Sequence, residues 1–295
     1  MSTTAIIMLA IKVSLALMVL GIGLQSTPRD ATYLLRHPAL YARSFLAMSV
    51  LMPLLALCLA VTFSLHPPVT LALVALTLAP VPPFLPSRVM RAGGDGSYMV
   101  GLFAAASLAS IVVVPLSLAL LGAVLAMPLR IGPGAIAKLV GASVLVPLGL
   151  GIGIRQLAPT AAERAAKPAA LLAAIVLVAA LIPVLMKTWP AMRALIGNGT
   201  LVAIIGMTLA GLGVGHLLGG PDRDDRTVLA LATAMRHPAV AIAILTANFP
   251  DEKLAPAAVL LALIVGAIAS APYTRWSKRR SERQVVGPGK LPSVA

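Results

Sequence analysis

Arg236, His237 and Pro238 stand side by side in "LATAMRHPAVAIAILTANFP", residues 231–250. They bring together a permanent cation, an imidazole and a residue that cannot donate a main-chain hydrogen bond. A second arginine, Arg88, follows Ser87 in "APVPPFLPSRVMRAGGDG", where Pro80, Pro82, Pro83 and Pro86 crowd one short stretch. Guanidinium suits carboxylates and sulfonates because it meets them through two parallel hydrogen bonds. The candidate ligand-binding residues are therefore Arg236, His237, Arg88 and Ser87, and the chemistry they suggest is capture of an organic anion. His237 has two readings: a ring bonded to a carbonyl freed by the helix break, or a ligand contact that also accepts protons. No metal-ligand spacing, cofactor motif, nucleophile elbow or His–acid cluster occurs, so the expectation is no enzyme, no cofactor and no metal.

The surroundings of these residues are lipid-like. Of 295 residues, 59% are hydrophobic and only 11% charged, with mean hydropathy +0.99; soluble domains are about a quarter charged. Several apolar runs reach the roughly 20 residues needed to cross a bilayer as a helix. The fold class is thus an all-α polytopic membrane protein with about nine transmembrane helices. Spans fall at about 4–25, 40–65, 69 onward to the proline cluster, 97–126, 135–156, 167–187, 197–219, 226–249 and 253–275. Cys58 is the only cysteine, so no internal disulfide forms, and it reads as a small packing residue within a span.

The net charge of +14 would suggest nucleic acid in a soluble chain. Here it reads as basic loops and a tail lying on anionic membrane lipids. "RWSKRRSERQ" offers no stacking aromatic beyond Trp276, so nucleic acid is not an expected partner. Lys278, Arg279, Arg280, Arg283 and Lys290 mark 276–295 as a basic cytoplasmic tail. An odd number of spans then places the N-terminus outside. Arg29, Arg36, Arg43, Arg91, Arg155, Arg164, Lys167, Arg223 and Arg226 fall in inside loops, in excess of the outside loops throughout. The chain is expected in a cell inner membrane or plasma membrane, multi-pass.

Two spans must break, near 80–88 and 236–238. Proline removes a donor and clashes with the preceding turn, and open backbone at membrane depth survives only against protein or a watery cavity. One break lies in each half, each beside an arginine. Paired broken helices in corresponding places point to a transporter site between inverted repeats. The competing reading of Arg88 is snorkelling, or an ion pair with nearby Asp95; that of Arg236 is snorkelling to headgroups. All nine acidic residues fall in loops, caps or the tail, so Arg236 has no evident counter-ion within any span. His216, in "GLGVGHLLGG", reads as packing on a glycine-rich face.

At these residues the chain resembles the bile acid/sodium symporter family. The likeness covers most of the length and is most specific in "GHLLGGPDRDDRTVLALATAMRHPAVAIAILTANFP", with "PSR" and "STPRDATYLLRHPALYARSFLAMSVLMPLLAL" in support. The resemblance implies inverted repeats with two broken helices crossing near the membrane centre, and a core domain moving against a panel domain. By position, 40–126 and 197–275 would form the core, and 4–25 with 135–187 the panel. Where the family usually has Asn at the first crossing stands Arg88, and its Gln-Asn pair at the second is Arg236-His237. Its sodium-ligating carboxylate is Ala232, and polar sodium ligands are replaced around Met99 and Phe103. Sodium needs oxygen ligands, so the two guanidinium groups read as standing where its ions would sit.

The resulting expectation is a secondary transporter of a small or amphipathic organic anion, working by alternating access and binding no sodium. The alternatives are a conventional sodium-coupled, bile-acid-type symporter using unseen backbone carbonyls, or a membrane sensor or scaffold that no longer transports. The orientation is directly testable. A cysteine introduced beyond Trp276 should react with an impermeant thiol reagent only after permeabilisation, and labelling in intact cells would reverse the topology.

Overall fold

The computed structural model describes residues 3–125 and 128–286. The outer part of the expected tail, Lys290 included, and the end of the expected fourth span at 126 lie outside the described residues. The described chain is all-helical, with no strand. α1 (Thr3–Gly23) is the first crossing, and two short helices, α2 (Pro28–Ala31) and α3 (Tyr33–Arg36), link it onward. The second crossing joins α4 (Pro38–Phe45), a π-helical stretch (Leu46–Leu51) and α5 (Met52–Thr62). The third is α6 (Pro67–Leu78) and α7 (Leu85–Arg91), and the fourth α8 (Gly96–Leu125). The fifth joins α9 (Pro133–Val140), a second π stretch (Gly141–Leu145) and α10 (Val146–Leu157); the sixth is α11 (Pro159–Ala194). The seventh is α12 (Thr200–Leu218), the eighth α13 (Arg223–Ala234) and α14 (Pro238–Asn248), and the ninth α15 (Ala255–Ala269) and α16 (Ala271–Val286).

Eight of these segments are long and apolar enough to cross a bilayer, and α6 with α7 supplies the ninth crossing. Spans two to four and spans seven to nine repeat one order: a helix, a broken helix, a helix. Corresponding spans lie five crossings apart, an odd number, so the two sets run in opposite directions and the repeat is inverted. The most apolar 18-residue window of the eighth span is 72% buried, against 11% for that of α11. The charged, broken helix is therefore wrapped in protein, while α11 turns its apolar side chains to lipid. α14 packs on α6 and α15, α13 on α12 and α7, and α1 on α10 and α11.

Four details depart from the sequence reading. The first break spans Ala79 to Phe84, not 80–88, because Pro86 sits in the first turn of α7, where its missing donor costs nothing. Ser87 and Arg88 therefore ride on a helix rather than in open chain. α11 begins eight residues before the expected span, because Ala-rich "PTAAERAAK" follows a proline start and stays helical beyond the apolar run. Cys58 is exposed on the outside of α5 rather than packed within. The basic segment after Trp276 also continues as helix to Val286, supported by a Lys278–Glu282 pair at 3.7 Å and by Arg280 lying 4.1 Å over the Trp276 ring.

The eighth span is held in place by a close approach. Gly211 and Gly215 on one face of α12, and Gly219 at its C-cap, recur every fourth residue. A Cβ on Gly215 would lie 2.4 Å from the Leu229 carbonyl oxygen, and one on Gly211 2.8 Å from Ala234 Cα. The glycine-rich face anticipated around His216 thus exists, but His216 itself points away from it, toward α16, with Nδ1 2.8 Å from the Tyr273 hydroxyl. Gly215→Ala should push α13 off α12 and cost about 1–3 kcal/mol. Gly213→Ala, whose Cβ would meet nothing within 4 Å, should be neutral. Thermal unfolding of the purified variants decides this: equal melting temperatures would mean the stripe does not set the helix spacing.

Candidate functional site at the crossing of two broken helices

The site starts from proline. Pro80, Pro82 and Pro83 cannot donate to α6, so the chain leaves the helix at Ala79 in extended conformation. Pro238 forces the same on its predecessor, and His237 is extended at φ −72, ψ 106. The two open stretches meet. The His237 main-chain N–H donates to the Pro80 carbonyl at 2.8 Å, the direct main-chain link between the halves of the molecule at this level. The C-terminal ends of α6 and α13 and the N-terminal ends of α7 and α14 all face this region. The carbonyl ends carry partial negative charge and the amide ends partial positive charge.

Arg236 is buried, 7% exposed. Its Nη2 donates to the Thr77 carbonyl at 2.6 Å and to the Met48 carbonyl. Both acceptors are left over by local structure. Thr77 belongs to the last turn of α6, whose carbonyls have no partner within the helix. Met48 lies in the π stretch, where Met52 donates five residues back to Ala47. In that register the next donor, for Met48, would be residue 53, and residue 53 is proline. Arg236 thus does a cation's work, capping one helix end and mending a gap in a second helix. Hydrogen bonds from a charged donor are worth about 1.5–3 kcal/mol each. Its Nε is buried with no partner.

Arg88 is half-buried and does something similar elsewhere. Its Nη2 donates to Ser270 Oγ at 2.9 Å, to the Ala267 carbonyl at 3.2 Å and, more weakly, to Thr274 Oγ1 at 3.4 Å, so it caps the C-terminal end of α15. Its Nη1 lies 3.3 Å from Met235 Sδ, at the second break. The ion pair with Asp95 does not form, because Asp95 accepts instead from the Tyr98 amide at 2.6 Å, at the start of α8. Ser87 Oγ donates to the Phe84 carbonyl, and Arg91 to the Ser87 carbonyl. His237 is 1% exposed and neither ring nitrogen has a partner; the bond to a freed carbonyl comes from its main chain, not its ring.

Two clefts reach the crossing. One opens between spans two and four, lined by Tyr41, Ser44, Phe45, Met48, Ser110 and Arg236. The other opens mainly between spans seven and nine, lined by Met207, Thr208, Thr233, Met235, Gly266 and Arg236. Arg236 lines both; Ser87, Arg88 and His237 line neither. The clefts hold about 40 and 60 Å³, room for a few waters and far below the several hundred Å³ of an organic-ligand site. The arginine fork expected for a carboxylate is also engaged. Either face of the fork needs Nη2, and both Nη2 hydrogens go to main-chain carbonyls. What sequence reasoning missed is this pair of acceptors; Pro53, inside the second span, was the signal for the Met48 gap.

The inverted repeats, with broken helices bonded at their crossing, define a class of multi-pass membrane transporters. A family model for the sodium bile acid symporter family matches residues 12–188, well over half of the 295 residues, and the chain belongs to that family. The match takes in the first broken helix and ends in α11, before the second. The family's members are transporters, not enzymes. No curated protein matches the chain.

Because two carbonyls need one cationic donor, Arg236→Lys should keep most of the stability and Arg236→Gln should lose about 1–3 kcal/mol. Thermal unfolding of the purified protein reads this. A Gln variant that melts with the wild type would show that the guanidinium does not hold the crossing together.

Proposed function

We propose that the protein carries a small or amphipathic organic anion across the membrane by alternating access, without sodium. The observation that carries this reading is the placement of Arg236: a buried guanidinium occupying two main-chain oxygens at the helix crossing, with no carboxylate nearby on either broken helix. Sodium would need those oxygens, and a fixed positive charge beside them repels it. The same charge favours an anion at the crossing.

The substrate would reach the crossing through movement. Both clefts are too small for an organic anion as they stand, so α1, α9, α10 and α11 act as the panel and spans two to four and seven to nine as the core that shifts against them. A hollow of about 450 Å³, lined almost wholly by apolar residues such as Leu57, Val61, Leu71, Leu121 and Phe249, adjoins the first cleft at Leu78. It matches the apolar body of an amphipathic anion. Arg236 then supplies charge, with Nε free to donate one bond. Arg88 supplies charge from the end of α15, and His237 offers two unpartnered ring nitrogens. The C-terminus lies in the cytoplasm.

The conventional sodium-coupled mechanism is the second reading, favoured by the family to which the chain belongs. Uptake into proteoliposomes separates the two. With sodium replaced by potassium or choline at constant ionic strength, transport of an identified substrate should change less than twofold. A saturable sodium requirement would overturn the proposal and establish the second reading.

A further inference from the structure

A cluster of arginines without ion pairs lies away from the crossing. A recess of about 140 Å³ sits between the end of α12, the first turns of α13 and the helical extension α16. Arg223, Arg226 and Arg280 line it, with His216, Trp276, Thr227 and Ser277, and Asp224 is its single carboxylate. None of the three arginines makes an ion pair; among the described residues the one ion pair is Lys278–Glu282.

The recess is built rather than incidental. Thr227 Oγ1 and Ser277 Oγ, both buried, meet at 2.6 Å and join α13 to α16. His216, Tyr273 and Trp276 pack ring against ring, 5.5–5.9 Å between centroids, and Arg280 is laid over the Trp276 face at 4.1 Å. Arg226 is pinned by its Nε to the Gly220 carbonyl at 2.7 Å, which leaves both its Nη groups unbonded. Arg223 also borders the neighbouring acidic recess of Asp95, Asp222, Asp224 and Asp225, without an ion pair to any of them. Arg226 and Arg280 line only the arginine recess, whose one carboxylate, Asp224, pairs with none of the three arginines. A tetrahedral anion with several acceptor oxygens suits such a set of donors.

The position of the recess selects the source of that anion. His216 is followed on α12 by Leu217, which is 82% exposed, and Trp276 is 40% exposed on α16. An exposed leucine next in sequence to His216, and a tryptophan packed on that histidine, mark the level where acyl chains give way to headgroups. From these observations we infer that the recess binds the phosphate of an anionic phospholipid, whose acyl chains stay in the bilayer beside Leu217. Basic pockets between transmembrane helices take lipid headgroups in this way. The lipid would fasten α16 to α12 and α13, and so to one half of the eighth span. This site is independent of what crosses the membrane and of which ion, if any, is coupled.

The test uses purified full-length protein in detergent, titrated with phosphatidylglycerol, phosphatidylcholine or inorganic phosphate, with thermal unfolding and native mass spectrometry as readouts. Arg223 and Arg280 are exposed, so R223Q/R280Q should fold; R275Q/R279Q removes the same charge from exposed positions outside the recess. Phosphatidylglycerol should bind and stabilise the wild type and R275Q/R279Q alike. R223Q/R280Q should bind it about ten- to thirtyfold more weakly. Equal losses in the two double variants would reduce the effect to diffuse surface charge and overturn the site. So would phosphatidylcholine binding as well as phosphatidylglycerol, or millimolar phosphate giving the full stabilisation, which would make it a site for a soluble anion.

Discussion

A main-chain carbonyl buried in a membrane protein must find a donor, and the centre of this molecule is arranged around that need. Prolines at 53, 80, 82, 83 and 238 remove donors from three helices that pass close together. The gaps are filled across helices: His237 to Pro80 by main chain, and Arg236 to Met48 and Thr77 by side chain. An unmade bond of this kind costs several kcal/mol in a hydrocarbon surround. The second, third and eighth spans are therefore joined at the crossing by bonds that none could make internally. The tight α12–α13 contact and the burial of the eighth span bring the arginine to the place where those acceptors lie.

Much of this was legible in the residues. Apolar run lengths give the nine crossings, because bilayer thickness and helical rise leave little freedom. Proline positions give both breaks, and the confinement of acidic residues to loops and span ends (Asp224 and Asp225 in the first turn of α13, Glu163 near the start of α11, Glu282 in α16) isolates Arg236. What the sequence hid was pairing at a distance. Arg88 reaches Ala267, Ser270 and Thr274, some 180 positions away, and nothing local marks those partners. Asp95 looked available to it by spacing, but the exposed amides at the start of α8 claimed the carboxylate. The helical extension after Trp276 was hidden for another reason: hydropathy registers the edge of the bilayer, not the end of a helix.

The division of the eighth span gives its two halves different company. α13 is locked to α12 by the glycine stripe, whereas α14 packs against α6 and α15. Between them only Met235, Arg236 and His237 are free of helical constraint. A change in the angle between the halves would be absorbed there, at the residues that carry the charge, and would be felt at once by the second and third spans through the bonds to Met48 and Thr77.

A built-in cation also changes the energetics of any carrier that uses it. A mobile ion crosses with its cargo and adds its own gradient to the work; a guanidinium returns with the empty protein and adds none. If nothing else moves, the anion crosses with its charge uncompensated. Membrane voltage then biases its movement by about 2.3 kcal/mol per elementary charge for each 100 mV. Across a membrane negative on the cytoplasmic face, that bias points outward. Under the proposed sodium-free mechanism, a fixed Arg236 in place of a dissociable ion favours efflux of the anion, with the resting potential as its power supply.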